Sequence, residues 1–264
     1  MQPDSPFPCA EVSSLPKTAS SLAKRLSLDG AAADAWLGGG LRADGLHELY
    51  AAQAEDGVSA TGFALLIAQL QCRARHKPLI WVREARSIAQ TGMPYGPGLL
   101  DLGLKPDAIT LLMLPDARAV LRAGLDSVRD GALGAVLIEL VGRQPLFDLT
   151  ASRRFALAAA ETGTIALFTR SKAEPIPSAA HTRWEVANAP SRSLEAGSPG
   201  FPAFALTLLR HRGGRDGLHL ILEWDRDTAS FRQRDERGDT APLSCAQPAM
   251  AGGRTAGSGT ARAA

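Results

Sequence analysis

Residues 25–76 contain no lysine. Within them, residues 47–71 read as strand, loop and helix, in the place of a phosphate-binding loop. Such a loop needs glycines, so that backbone N–H groups can face phosphate, and a lysine as a point charge on the β and γ oxygens. Gly57 and Gly62 are present, and Ser59 or Thr61 could stand near a metal ion, but the cation is missing. The absence counts against a grip on nucleoside triphosphates and points to a protein kept for what it touches.

Other scarcities narrow the class. Cys9, Cys72 and Cys245 lie far apart, odd in number and without a CxxC pair, which argues against a disulfide framework and a zinc site and fits a reducing cytoplasm. No apolar run approaches the ~20 residues that span a bilayer, and the N-terminus lacks an apolar signal core. A soluble, cytoplasmic protein with no membrane contact is expected. The net charge of +2 is too balanced to imply nucleic-acid binding by itself. Arginine dominates the cations and offers planar donors to carboxylate or phosphate, although a genome-wide compositional bias explains the same ratio.

What is present is an alternating pattern. Segments 1–20 and 235–264, rich in Pro, Ser, Gly, Ala and Thr, are expected to be disordered tails around a single domain, 21–234. A short amphipathic helix is expected from Ser21, then a short element at Ala35–Leu37 ending in Gly38-Gly39-Gly40. Leu22, Leu26, Trp36 and Leu37 of these pieces either dock within the chain, the preferred reading, or meet a partner. Strands are expected at Leu46–Tyr50, Leu79–Val82, Ile109–Leu114, Ala135–Val141 and Ile165–Thr169. Helices are expected at about Thr61–Arg75, Pro97–Leu102, Asp116–Arg129 and Ser152–Thr162. Apolar strands alternating with helical periods indicate βαβ units and a parallel sheet covered on both faces. Beyond them Trp184–Ala187, Phe204–Leu209 and Leu218–Trp224 alternate with period two, the last two joined by a glycine-rich loop, in a hairpin over about 203–224.

His47-Glu-Leu-Tyr50, Ala135-Val-Leu-Ile-Glu139, Leu157-Ala-Ala-Ala-Glu-Thr-Gly163, His181-Thr-Arg-Trp-Glu-Val186, Leu208-Leu-Arg-His-Arg-Gly-Gly214 and Leu222-Glu-Trp-Asp225 running to Ser230-Phe-Arg232 follow one another from about residue 40 to 232. In order and spacing they resemble the ImuA family, RecA-like accessory proteins of bacterial damage-induced mutagenesis. The resemblance implies an α/β, RecA-like fold: a mainly parallel β-sheet sandwiched by helices, with antiparallel C-terminal edge strands. Glu84 then falls where RecA relatives carry the glutamate that activates the attacking water. Tyr95 resembles the tyrosine that stacks on adenine, and Glu139 falls at the Walker B position, where relatives have aspartate. Gly57, Ser59, Thr61, Gly62, Glu84, Tyr95 and Glu139 would form a degenerate, inactive nucleotide site with no catalytic residue, cofactor or metal.

Each of these residues also has a structural reading, and on the residues alone that reading is preferred. Glu84 would be a solvated carboxylate paired with Arg83 or Arg86. Glu139 would be a buried one paired with Arg143 or Arg83. Tyr95 would anchor its turn-forming stretch by packing. Arg210, Arg212 and Arg215, with His211, form the one concentrated basic cluster: a contact for DNA phosphate or an acidic partner, or a solubilising loop. His47 reads as a core-edge histidine.

The resemblance implies a non-catalytic accessory subunit of error-prone translesion synthesis in the SOS response. Its expected partners are an ImuB-type polymerase-like protein, an error-prone replicative-type DNA polymerase and RecA, with DNA contact left open. A SulA-like cell-division inhibitor and a surviving RecA-type ATPase are the alternatives.

Overall fold

The computed structural model describes residues 25–192, 194, 198 and 200–234. Leu22 and the two expected tails lie outside the described residues. In chain order the strands are β1 (Arg25–Leu26), β2 (Leu41–Arg42), β3 (Leu46–Ala51), β4 (Leu79–Glu84), β5 (Ile109–Leu114), β6 (Ala135–Val141), β7 (Ile165–Ser171), β8 (Thr182–Ala189), β9 (Ala203–His211), β10 (His219–Asp225) and β11 (Ser230–Gln233). The α-helices are α1 (Ala31–Trp36), α2 (Gly57–Arg75), α3 (Ile88–Thr91), α4 (Gly96–Asp101), α5 (Ala117–Asp130) and α6 (Leu149–Thr162).

Nine strands form one sheet in the order β11-β10-β9-β8-β3-β7-β6-β4-β5. The neighbours from β5 through β8 pair in parallel, and β8 to β11 pair antiparallel. Side chains alternate across a strand, so a central strand buried on both sides reads as one apolar run and divides its residues between two cores. In β6, Ala135 and Leu137 join the core beneath α2, whereas Val136, Ile138 and Leu140 join the core beneath α5 and α6. β3 and β7 divide the same way, with Leu49 and Leu167 on the α2 side and Leu46 and Phe168 on the other.

Helix α5 shows how local sequence sets an element's ends. The Asp116 carboxylate accepts from the Ala119 N–H at 2.8 Å, an N-cap, and Gly131 at φ +70° closes the helix. Val120, Leu121 and Val128 are buried on its inner face, as the periodicity requires.

Some expectations are corrected. Arg25–Leu26, expected within a helix starting at Ser21, forms a strand paired to β2, a contact set by residues far along the chain. Gly40 permits it: φ is +112°, and a Cβ there would lie 2.3 Å from the Leu26 carbonyl oxygen. Leu26 and Leu37 are buried against the α2-side core, so these pieces dock within the chain. Helix α2 begins at Gly57 rather than near Thr61, which shortens the preceding connection. Strand β11 was not foreseen.

Candidate functional site

In an open α/β sheet, ligands meet the carboxyl ends of the parallel strands. Here that edge gathers the ends of β3, β4 and β6 with the start of α2. Four of the residues read as a phosphate loop, Gly57, Ser59, Thr61 and Gly62, lie inside α2. Gly57 has an ordinary helical φ of −55° and Gly62 has no positive φ, so neither opens the backbone into a phosphate cradle. The connection from β3 is a single 3-10 turn, Ala54–Asp56.

The start of α2 is occupied by the protein's own anion. Asp56, 5% exposed, accepts from the Gln53 N–H at 3.2 Å and from the backbone N–H and side-chain amide of Asn188 in β8, at 2.8 and 2.9 Å. A helix N-terminus attracts negative charge, and here the residue that precedes α2 is itself an acid, its carboxylate fixed by donors from Gln53 and Asn188 and not by the helix's own N–H groups. A phosphate brought to the same turn would meet this carboxylate, with no lysine or arginine anywhere in residues 43–72 to offset it.

The second acid is also consumed internally. Glu139 in β6 lies directly across from Arg83 in β4, and their side chains pair at 3.2 Å with both buried. The Thr91 hydroxyl, at 3.1 Å, and the Trp81 indole N–H, at 3.3 Å, also donate to Glu139. Arg83 in turn donates to Ser87, Thr91 and the Gly92 carbonyl. Burial pushes the Glu139 carboxyl up, opposed by the Arg83 charge and the two hydrogen bonds. Arg83 thus supplies the counter-cation of Glu139 within the chain. Of the two partners expected for Glu139, Arg83 and Arg143, it is Arg83 that pairs.

Glu84 faces away from this pair. Strand alternation places it on the other side of β4 from Arg83, where it pairs with Arg86 and accepts from the Gln144 amide at 3.3 Å. It is 2% exposed, so the expectation of a solvated carboxylate is corrected: the partner is Arg86, but the acid is inside. Tyr95 is corrected as well. It is 72% exposed and does not anchor its turn by packing, and no hydrogen bond or ring contact ties it to either glutamate among the described residues. Glu84, Tyr95 and Glu139 therefore do not converge on one point. These residues do not fit a nucleoside triphosphate with its divalent cation.

The basic hairpin is also dispersed. Arg215 leaves its neighbours to lie over the Trp36 ring at 4.7 Å, while the Trp36 N–H donates to the Arg215 carbonyl at 2.9 Å. Arg210 donates to the Ser178 carbonyl at 3.1 Å, and Arg212 turns toward α6. Asp56 is the site residue that sequence reading missed. Its signal was available: an acid immediately before the first turn of a helix. No group of three or more metal-ligating side chains occurs among the described residues. No helix there is long and apolar enough to cross a membrane.

No protein-family model and no curated protein matches the chain. Among solved structures it is similar to the crystal structure of the RadB recombinase, at a TM-score of 0.53 and 13% sequence identity, over 80% of this chain and 100% of that one. At that identity the likeness concerns the fold alone, and the fold is RecA-like: a mainly parallel sheet between helices, with antiparallel strands at one edge.

Proposed function

We propose that the chain is a non-catalytic accessory protein of error-prone translesion DNA synthesis in the DNA-damage response. It acts by binding other proteins: an ImuB-type polymerase-like partner, an error-prone polymerase, and RecA. The observation that carries the non-catalytic part is that both acids have partners within the chain, Asp56 neutral N–H donors and Glu139 the Arg83 guanidinium. Asp56 sits at the helix start where phosphate would bind, and Arg83 holds Glu139. Phosphoryl transfer depends on positioning and on charge stabilisation around the transferring group, and the Arg83 guanidinium at this edge is spent on Glu139. The damage-response part is supported by the ordered motifs between about residues 40 and 232 and by the recombinase-like fold.

Deleting the gene tests the reading. Ultraviolet-induced mutation frequency is expected to fall towards the spontaneous level, and complementation with Glu84→Gln is expected to restore it as fully as the wild type. Unchanged mutation frequency in the deletion strain would count against the damage-response role. Complementation lost with Glu84→Gln, in protein that is still folded, would count against a non-catalytic one.

A further inference from the structure

We propose that the groove beside α6 is a binding track for the phosphate backbone of a single nucleic-acid strand, remote from the nucleotide edge and independent of the accessory role argued above. Two cavities of about 510 and 550 Å³ adjoin there and share Ala156, Leu157 and Arg212 in their walls. Arg25 and Arg42 complete the charged lining of the first, beside the imidazoles of His181 and His211, and Arg153 and Arg210 that of the second. No aspartate or glutamate lines either one.

Most of this charge is unspent. Arg42 is paired with Asp44 at 2.6 Å, and Arg25 and Arg210 donate only to backbone carbonyls. The exposed guanidinium groups of Arg153 and Arg212 have no hydrogen-bond or ion-pair partner among the described residues. For a chain whose net charge is +2, four arginines without a carboxylate along one groove are a concentrated field. His181 registers that field: its pKa is lowered to about 4 by burial first, then by Arg42 and Arg212, against the opposing charge of Asp44 behind Arg42, so it adds no charge at neutral pH.

Shape selects the partner. The α6 residues in the lining, Leu149, Arg153, Ala156, Leu157 and Ala160, lie three or four apart and form one stripe along the helix. From Leu149 to Ala160 that stripe runs roughly 16 Å at the helical rise. A single small anion would use one end of it, whereas a chain of phosphates engages arginines along its whole length. No phenylalanine, tyrosine or tryptophan lines either cavity, so base stacking is confined to the two imidazoles of the first and contributes little. Binding should therefore be indifferent to base sequence and steeply salt-dependent.

The test is fluorescence anisotropy of the full-length chain with a labelled oligo-dT of about 20 nucleotides, long enough for one such site, over a salt series. With four arginines engaged, the log–log salt slope is expected near roughly −3. Arg153→Gln/Arg212→Gln should make it shallower by about one to two. Arg118→Gln/Arg122→Gln, removing the same charge from α5, should leave it unchanged. Absence of saturable binding at low salt, an equal loss from both double variants, or poly-glutamate binding with the oligonucleotide excluded would overturn the proposal. The last result would give the groove to an acidic protein. Should the first double variant fail to fold, photocrosslinking of the wild type to a thiothymidine strand decides: label on α6 or residues 210–213 supports the track, and label confined elsewhere overturns it.

Discussion

His47 shows how a titratable side chain becomes part of a core. It is 1% exposed, with Nδ1 2.7 Å from the Thr182 hydroxyl and Nε2 2.8 Å from the Arg42 carbonyl. The carbonyl only accepts, so Nε2 carries the hydrogen. The Trp184 indole donates to the same Thr182 oxygen at 2.8 Å, which leaves the threonine hydroxyl to donate to Nδ1. The ring is thus fully bonded in its neutral form, and burial lowers its pKa from 6.5 to about 4. A histidine whose folded pKa is depressed binds its proton more readily in the unfolded chain. Its stabilisation is complete above pH 6.5 and is lost as pH falls towards about 4. The full effect is on the order of 3 kcal/mol. In urea unfolding at pH 7.5 and 4.5, His47→Asn is expected to be less stable than wild type at the higher pH and to lose less on acidification. Equal losses in the two proteins would contradict this origin. A histidine in a short apolar strand signals burial to a sequence reader, but its bonding depends on Thr182, which only the β3–β8 pairing brings alongside.

At the scale of elements, the parallel pairing of β4 with β6 sets Arg83 opposite Glu139 on the α2 face, and the outcome can be measured. Removing one member of a buried, hydrogen-bonded ion pair strands the other without water, which typically costs about 3–5 kcal/mol. Replacing both by apolar residues of similar size removes the stranded charge and is often neutral. Glu139→Leu alone is therefore expected to lower the unfolding free energy by that amount, and Arg83→Met/Glu139→Leu to recover most of it. A double variant no better than the single one would show that the pair is not what holds these strand ends. Elements with their own signal were legible: β5 and β6 match the apolar runs at both ends, and α5 is shifted by one residue, starting after its cap Asp116 and running to Asp130. Elements defined by a partner were not. β1 and β2 have two residues each, too few to show a period, and exist because Arg25 and Leu26 meet Arg42 and Leu41. The start of α2 was misplaced because Gly57, taken for loop, has a helical backbone.

Across the whole molecule, the alternation of strands and helices specified a parallel sheet covered on both faces, and the ordered motifs a likeness to RecA relatives that the fold bears out. The Glu139 partner was among the two that the sequence offered, whereas the setting of Asp56 was hidden because its partner lies in a distant segment. Asn188 reaches Asp56 from β8, and Arg83 meets Glu139 from the adjacent strand β4. The basic groove was hidden for the same reason. Arg210 and Arg212 stood out as neighbours in sequence, whereas Arg25, Arg42 and Arg153 join them only through the β1–β2 ribbon and α6, and Arg215 goes instead to Trp36. The central proposal is that the edge at the start of α2, whose acids Asp56 and Glu139 already have partners within the chain, does not bind nucleoside triphosphate. Calorimetric titration of the purified full-length protein with ATP and Mg²⁺ at millimolar concentration, followed by a phosphate-release assay, tests it most directly. The account predicts no saturable heat and no turnover above the buffer rate, whereas saturable binding with turnover abolished by Glu84→Gln would contradict it.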